Sequence, residues 1–322
     1  MKDFLIIKEG WRDKLPELPE TFEIIEYTED TFNKVIFRII ATNDKNIIIV
    51  NDFHPELKEI LTSLPANRES QIIRVEPQPF THPTCHFSAF FLFSIFWLLK
   101  NPELVSSHSY MTLLPANMFN SEEIQHIVSV SHSAGAFNLG ILALALHKNL
   151  DVKRIHLVPE RSSRMLYEVL KNEFIHSVAT LMKVLEITKP NLSSSNVKVD
   201  SINIKHQEKL QIPGHPFLTR EFISGFRKYA PFWKEHLFDD HFALLSAIYA
   251  GKEDSVINDR IWIRIMFELL NASLKYPDKM KIARRIFPVY ALYLNSINES
   301  IISERFNTYI EILKEEYGLI SN

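Results

Sequence analysis

Apolar runs separated by polar breaks divide this chain into a strand-rich first part and a helix-rich second part. In the first part, short runs rich in β-branched residues predict strands. These runs are 22–27, 34–41, 47–50, 72–75 and 110–114. One helix is predicted among them, over 56–64. Beyond residue 217 only helical periodicity is seen, and helices are predicted over 258–274, 282–302 and 304–319.

The stretch 124–160 is the centre of the predicted sheet. Residues 127–130 predict a short buried strand, and the small residues 131–135 follow as a tight turn. A helix is predicted over 136–146 and another strand at 155–158. A strand, a helix and a strand at this spacing are typical of a crossover unit in a parallel sheet.

The region after this unit predicts a long amphipathic helix over 164–187 and a last strand over 197–204. The expected fold class is α/β: a mostly parallel, Rossmann-like three-layer sheet with an all-helical C-terminal part. We divide the chain into an α/β domain, 1–205, and a helical C-terminal domain or cap, 206–322. Ser133 is expected at the carboxyl end of a central strand, where open α/β sheets place their ligands.

The composition of the 322 residues is typical of a folded globular protein, with 46% apolar and 23% charged residues. A formal net charge of −3 argues against DNA or another nucleic acid as a partner. The single cysteine, Cys85, allows no disulfide within the chain and indicates a reducing, cytoplasmic location. The longest apolar run, 87–99, is too short for a membrane span, so we expect a buried helix and no transmembrane segment.

Seven glycines leave the chain without the glycine-rich loops that cradle phosphates. Neither the dinucleotide-binding fingerprint nor the P-loop pattern occurs, and we predict no cofactor. His82 and His86 are four residues apart, but Pro83 between them disfavours the regular helix that would aim both at zinc. We therefore predict no metal site.

The turn 131–135, SHSAG, resembles the nucleophile elbow of the α/β-hydrolases. The pattern of that family is G-x-S-x-G between a strand and a helix. Here Ser133 takes the nucleophile position, Gly135 the last glycine and Ser131 the place of the first. The segment 157–160, LVPE, is similar to the strand end that follows the elbow helix of the family.

A second stretch, IPGHPFLTREFISGF at 212–226, resembles the histidine loop of the same family. The resemblance implies that Ser133 attacks an ester, thioester or amide of a small molecule. His215 would then be the general base, and Asp200 would orient its imidazole. The backbone N–H of Ala134 would supply half of an oxyanion hole. The first functional hypothesis is therefore a serine hydrolase or acyltransferase.

The same turn also fits a helix N-cap or an anion site, because serine hydroxyls and free N–H groups gather where a helix starts. The residues that would line a phosphate site are Ser131, His132, Ser133, Ala134, Gly135, Arg161 and Arg164. The order of strands and helices over 46–160 resembles CARF domains, which are Rossmann-like sensors of cyclic oligonucleotides. The second hypothesis is therefore a nucleotide- or phosphate-ligand sensor with a helical output domain, for which a homodimer with the ligand cleft at its twofold axis is expected.

A third hypothesis is a nucleotide-sugar-dependent glycosyltransferase, since the last helices resemble the tails of some such enzymes. No D-x-D motif follows a strand in this chain. Lys153 and Arg154 add to the basic residues near the central unit, where they either hold an anionic ligand or form a solvated surface. All three hypotheses expect a small-molecule substrate or a phosphorylated ligand as the partner.

Overall fold

A computed structural model describes most of the chain. The described residues are 3–15, 22–40, 45–64, 71–77, 109–116, 118, 121–148, 150–157, 167–188, 215–254, 256–296, 308, 311, 312 and 315. The predicted helix at 87–99, the strand at 197–204 and most of the helix at 304–319 lie outside these residues. The boundary between 205 and 206 also lies outside them, so the division into two domains stays a prediction.

The sheet has six strands in the part of the chain that the structure describes. They are β1 (Asp3–Lys8), β2 (Phe22–Tyr27), β3 (Ile47–Val50), β4 (Ile72–Pro77), β5 (Met111–Leu114) and β6 (Val152–Leu157). Their order across the sheet is β2-β1-β3-β5-β4-β6. The β1–β2, β1–β3 and β4–β6 pairs are parallel, whereas β5 pairs antiparallel with both β3 and β4. The fold is therefore α/β with a mixed sheet.

Nine helices occur within the described ranges. They are α1 (Phe32–Ile40), α2 (Leu57–Ser63), α3 (Ser121–Ser131), α4 (Ala134–His147), α5 (Tyr167–Thr188), α6 (His215–His236), α7 (Asp239–Tyr249), α8 (Asp259–Ser273) and α9 (Lys279–Ser296). None of them is both long and apolar enough to cross a membrane.

Several predicted elements are confirmed, with small shifts at their ends. The confirmed strands are β2, β3, β4, β5 and β6, and the confirmed helices include α2, α4, α5, α8 and α9. The sequence analysis missed β1, whose four central residues, 4–7, are all buried. Phe4 and Ile6 belong to one apolar cluster and Leu5 and Ile7 to the other, so both faces of this strand are covered and its sequence shows no alternation.

The predicted strand at 34–41 is wrong, because residues 34–40 belong to helix α1. The buried residues of this helix are Phe32, Ile36 and Ile39. Spacings of four and three residues place them on one face of a helix, whereas Lys34 and Arg38 are exposed. The β-branched residues of 34–41 favoured a strand in the sequence analysis, but the buried positions recur at the spacing of a helix, which is the structure observed.

The predicted strand at 127–130 is also wrong, because residues 121–131 form helix α3. Ile124, Ile127, Val128 and Ser131 are buried at helical spacing, and Gln125 is exposed. Helix α3 leads directly into α4, so the chain between β5 and β6 contains two consecutive helices.

Ser133 therefore joins two helices and does not follow a strand. The expectation that it lies at the carboxyl end of a central strand is wrong.

Helix α5 connects the sheet layer with the helical second half. It packs against α3 and α4 on one side and against α9 on the other. At the second contact, the ring of Phe174 stacks on Tyr290 of α9 with centroids 4.3 Å apart. One apolar cluster contains Ile6 of the sheet, Phe137 of α4 and Phe287 of α9. The described helices of the second half thus share a core with the sheet layer.

The contact between α6 and α9 depends on a glycine. A Cβ atom at Gly225 would overlap the Cβ and Cγ atoms of Pro288 in α9. Since the proline ring is rigid, we expect Gly225→Ala to lower the free energy of unfolding by about 1–3 kcal/mol, the usual cost of overpacking. Urea denaturation measures the change, and Ser224→Ala, at the exposed neighbouring position, is the control. Equal stability of the two variants would contradict the close contact.

Candidate functional site

The corner between α3 and α4 has the geometry of a helix N-cap. The N–H of Ala136 donates to Ser133 Oγ at 3.1 Å, and the N–H of Phe137 donates to the carbonyl oxygen of Ser133 at 3.0 Å. His132 turns the chain with a φ of +41°, in the left-handed region that non-glycine residues seldom adopt. The hydroxyl of Ser133 therefore satisfies one of the free N–H groups at the start of α4.

This geometry differs from a nucleophile elbow, which needs a strand immediately before the serine. Of the other two proposed catalytic residues, Asp200 lies outside the described residues. His215 is described only as the first residue of α6. Its position relative to the Ser133 hydroxyl therefore stays a prediction.

The remaining residues of the predicted phosphate site are partly described. Ser131 is fully buried at the end of α3, and Ala134 is buried in the first turn of α4. Gly135 is half-buried and faces α5, since a Cβ atom on it would lie 3.3 Å from Glu173 Oε2. Arg161 and Arg164 lie outside the described residues.

The sheet beneath α4 contains a charged group that the sequence analysis did not identify. Arg74 and Glu76 of β4 are both fully buried, and Arg74 Nε lies 2.8 Å from Glu76 Oε1. Arg154 of β6 reaches the same oxygen with its Nε at 3.2 Å and keeps 24% of its side chain exposed. We call these three residues the arginine cluster. Two guanidinium groups and one carboxylate leave it with a net charge of +1.

The arginine cluster is tied to α4 and lies among unpaired polar atoms. Arg74 Nη1 donates to the backbone carbonyl of Asn138 in α4 at 3.3 Å. Asn138 is fully buried, and neither atom of its side-chain amide has a hydrogen-bond partner among the described residues. Within the same residues, Oε2 of Glu76 and Oδ1 of Asn51 also lack a hydrogen bond. Since buried polar atoms are nearly always paired, such a group indicates a place for water or a ligand.

Two of these residues, Asn51 and Glu76, lie near the carboxyl edge of the sheet, whereas Arg74 and Arg154 lie in the middle of β4 and β6 and reach Glu76 with their side chains. Asn51 directly follows β3, Glu76 is the next-to-last residue of β4, and Arg154 pairs with Arg74 across the parallel β4–β6 ladder. The pairings make β3, β4 and β6 run in one direction, so their carboxyl ends meet at one edge. That edge is where open α/β sheets bind ligands.

The side of the α4 start that faces α5 is rich in hydrogen-bond acceptors. The rings of His132 and His176 lie 5.5 Å apart, and Asn33 Nδ2 is 3.4 Å from His132 Nδ1. Glu173 is one turn before His176 on α5 and lies against Gly135. We call Asn33, His132, Glu173 and His176 the histidine corner.

Burial and nearby charges keep His176 of the histidine corner and the side chain of Tyr27 uncharged near pH 7. Burial lowers the pKa of His176 to about 4, the charges of His132 and Arg284 act in the same direction, and Glu29 opposes them. Burial, together with Glu29, Glu173 and Asp52, raises the pKa of the Tyr27 hydroxyl. His176 is therefore a neutral imidazole near pH 7 and Tyr27 a neutral phenol, and each can donate or accept hydrogen bonds.

A signal for the arginine cluster was present in the sequence of β4. Ile72 and Arg74 alternate with Ile73 and Val75, so a charged residue lies within a run predicted as a strand. Charged side chains on an inner strand are seldom buried unless they are paired. A search for charged residues inside predicted strands would have found Arg74, whereas Glu76 and Arg154 lie just outside the predicted strands 72–75 and 155–158.

No protein-family model matches this chain, and no curated protein is significantly similar to it. Among the residues that the structure describes, no group of three or more His, Cys, Asp or Glu side chains is placed to hold a metal ion. His82, Cys85 and His86 lie outside them.

Replacement of Ser133 tests its role as a cap. Because Ser133→Ala removes the acceptor for the Ala136 N–H, we expect a loss of about 1 kcal/mol in the free energy of unfolding. Ser133→Asp keeps an acceptor and should retain most of the stability. Ser129→Ala, at an exposed position of α3, controls for loss of a hydroxyl. If Ser133→Ala is as stable as the wild type, the hydroxyl does not serve as a cap.

The pKa of His176 predicts a pH-dependent contribution to stability. The pKa is about 4 in the folded protein and about 6.5 in the unfolded chain, so the unfolded chain binds more protons between these values. Relative to His176→Gln, the wild type should lose stability as the pH falls from about 6.5 to about 4. Urea denaturation at about pH 7.5 and about pH 5 measures the difference. The exposed-ring variant His126→Gln is the control, and a pH-independent difference for His176→Gln contradicts the prediction.

Proposed function

We propose that this protein binds a phosphorylated small ligand of the nucleotide type at the carboxyl edge of a Rossmann-like three-layer sheet. We propose further that it acts as a sensor whose output is the helical second half. The observation that carries the proposal is the arginine cluster, a net positive group at the edge where α/β sheets hold ligands.

The chemistry of the arginine cluster suits a phosphate. A guanidinium group binds phosphate oxygens through parallel, charge-assisted hydrogen bonds. Arg154 is the member that reaches solvent, so it is the residue that would contact the ligand, while Glu76 fixes its guanidinium. Arg161 and Arg164, which follow β6 in the sequence, complete the proposed phosphate contacts.

Helix α5 supports a sensor because it packs against α4, whose Asn138 accepts from Arg74 of the arginine cluster, and also against α9 of the helical half. Its residues Glu173 and His176 belong to the histidine corner. On the same helix, Lys171 pairs with Glu221 of α6 at 2.9 Å, and Phe174 stacks on Tyr290 of α9. A ligand that shifts α5 would therefore change the contacts of α6 and α9. A homodimer formed by these helices remains part of the proposal.

A serine hydrolase or acyltransferase has less support. The hydroxyl of Ser133 caps α4, and the segment before it is a helix. We expect a fluorophosphonate probe to leave Ser133 unlabelled in the wild type. Labelling that disappears in Ser133→Ala would favour the hydrolase and contradict the sensor. A glycosyltransferase would be detected by release of nucleotide from a nucleotide sugar.

Isothermal titration calorimetry tests the proposed function. The ligands are 5′-mononucleotides, cyclic mononucleotides, cyclic di- and trinucleotides, and nucleotide sugars. At least one of these ligands should bind to the wild type. Arg154→Gln should lower the affinity for that ligand about tenfold or more, since a hydrogen bond to a charged group contributes about 1.5–3 kcal/mol.

Lys153→Gln is the matched control, because Lys153 is exposed and the next residue along a strand points to the opposite face. We expect it to change affinity by less than about twofold. The absence of binding by every ligand, or equal losses in the two variants, would overturn the proposed site.

A further inference from the structure

The first turns of α4 contact two groups of different chemistry. On the sheet side, Arg74 and Arg154 provide positive charge. On the α5 side, Glu173 lies beside Gly135, and Glu29 adds a second negative charge that acts on both Tyr27 and His176. A ligand that spans both sides therefore needs an anionic part and a part that donates hydrogen bonds.

The α5 side contains buried polar atoms that no described residue satisfies. They are Oδ1 of Asn33 and Nδ1 of His176. His176 and Asn33 each contact His132, so they belong to one place. Leaving such atoms unpaired is costly, which makes a hydrogen-bonding occupant of this corner favourable.

We propose that the histidine corner binds sugar hydroxyl groups of the same ligand, so that the protein selects ribonucleotides over deoxyribonucleotides. This inference rests on the proposed function. A hydroxyl group both donates and accepts. It can donate to the Glu173 carboxylate or to Asn33 Oδ1, and it can pair with the neutral His176.

Other occupants fit the histidine corner less well. A second phosphate would meet the negative charges of Glu173 and Glu29, and a cation would meet Arg284, whose charge acts on His176. Neutral hydroxyls avoid both conflicts. Carboxylates bind ribose hydroxyls in the same way at the edge of dinucleotide-binding sheets, although here the carboxylate comes from a helix.

Matched pairs of ligands test the inference. The probes are the ribo and 2′-deoxy forms of 5′-mononucleotides and of cyclic dinucleotides, with dissociation constants measured by calorimetry. The wild type should bind the ribo form about tenfold tighter or more, because the hydroxyl satisfies buried polar atoms that the deoxy form leaves unpaired.

Variants separate hydroxyl recognition from phosphate binding. Glu173→Gln and Asn33→Ala should each reduce the ribo preference to within about twofold. Arg154→Gln should lower the affinities for the ribo and deoxy forms by the same factor, so that the preference for the ribo form is kept. Glu168→Gln, at an exposed position of α5, should behave as wild type. Thermal unfolding of each variant confirms that it is folded before titration.

The outcomes distinguish this inference from the proposed function. If the wild type binds ribo and deoxy forms equally, hydroxyl recognition is wrong and phosphate binding stands. If the preference persists in both Glu173→Gln and Asn33→Ala, the histidine corner is not where the hydroxyl binds. If no probe binds, the proposed function fails, and the inference fails with it.

Discussion

The buried ion pair of Arg74 and Glu76 is the constraint on which this site depends. Both side chains are fully removed from solvent, and moving two charges out of water costs several kcal/mol each, about as much as their attraction returns. The structure offsets this cost with Arg154 on the neighbouring strand and with the carbonyl of Asn138 on α4. The pair therefore determines how β4, β6 and α4 must be arranged.

The position of α4 follows from the same constraint and from the helix before it. Helix α3 packs with α4 and α5, and the left-handed turn at His132 reverses the chain between α3 and α4. A Cβ atom on Gly140 would collide with Thr180 of α5 and Ile127 of α3, so the three helices approach closely. This packing places the capped start of α4 against the histidine corner, and the carbonyl of Asn138, about one turn further along α4, accepts from Arg74.

The sequence predicted the fold class and most elements, because buried strands such as β3 and long amphipathic helices such as α5 have patterns that depend on local sequence alone. The strands predicted at 34–41 and 127–130 were wrong. In both segments β-branched residues, whose composition favours a strand, lie on the buried face of a helix, and their helical spacing indicates the correct structure. Sequence could not predict that β5 inserts antiparallel between β3 and β4, since strand order depends on contacts between distant segments.

Prediction of the site was limited for a related reason. The turn at 131–135 was recognised as a place where a helix starts, and the N-cap interpretation of Ser133 agrees with its hydrogen bond to Ala136. The partners of that turn come from other elements: Asn33 from α1, Glu173 and His176 from α5, and the arginine cluster from β4 and β6. Only the folded chain brings these residues around α4.

The most direct test of a phosphate site at the sheet edge is a crystal structure of the protein with the tightest-binding nucleotide of the calorimetric panel. The account predicts a phosphate oxygen within about 2.7–2.9 Å of the Arg154 guanidinium, next to the first turn of α4. A nucleotide bound elsewhere, with Arg154 contacting only protein groups, would contradict it.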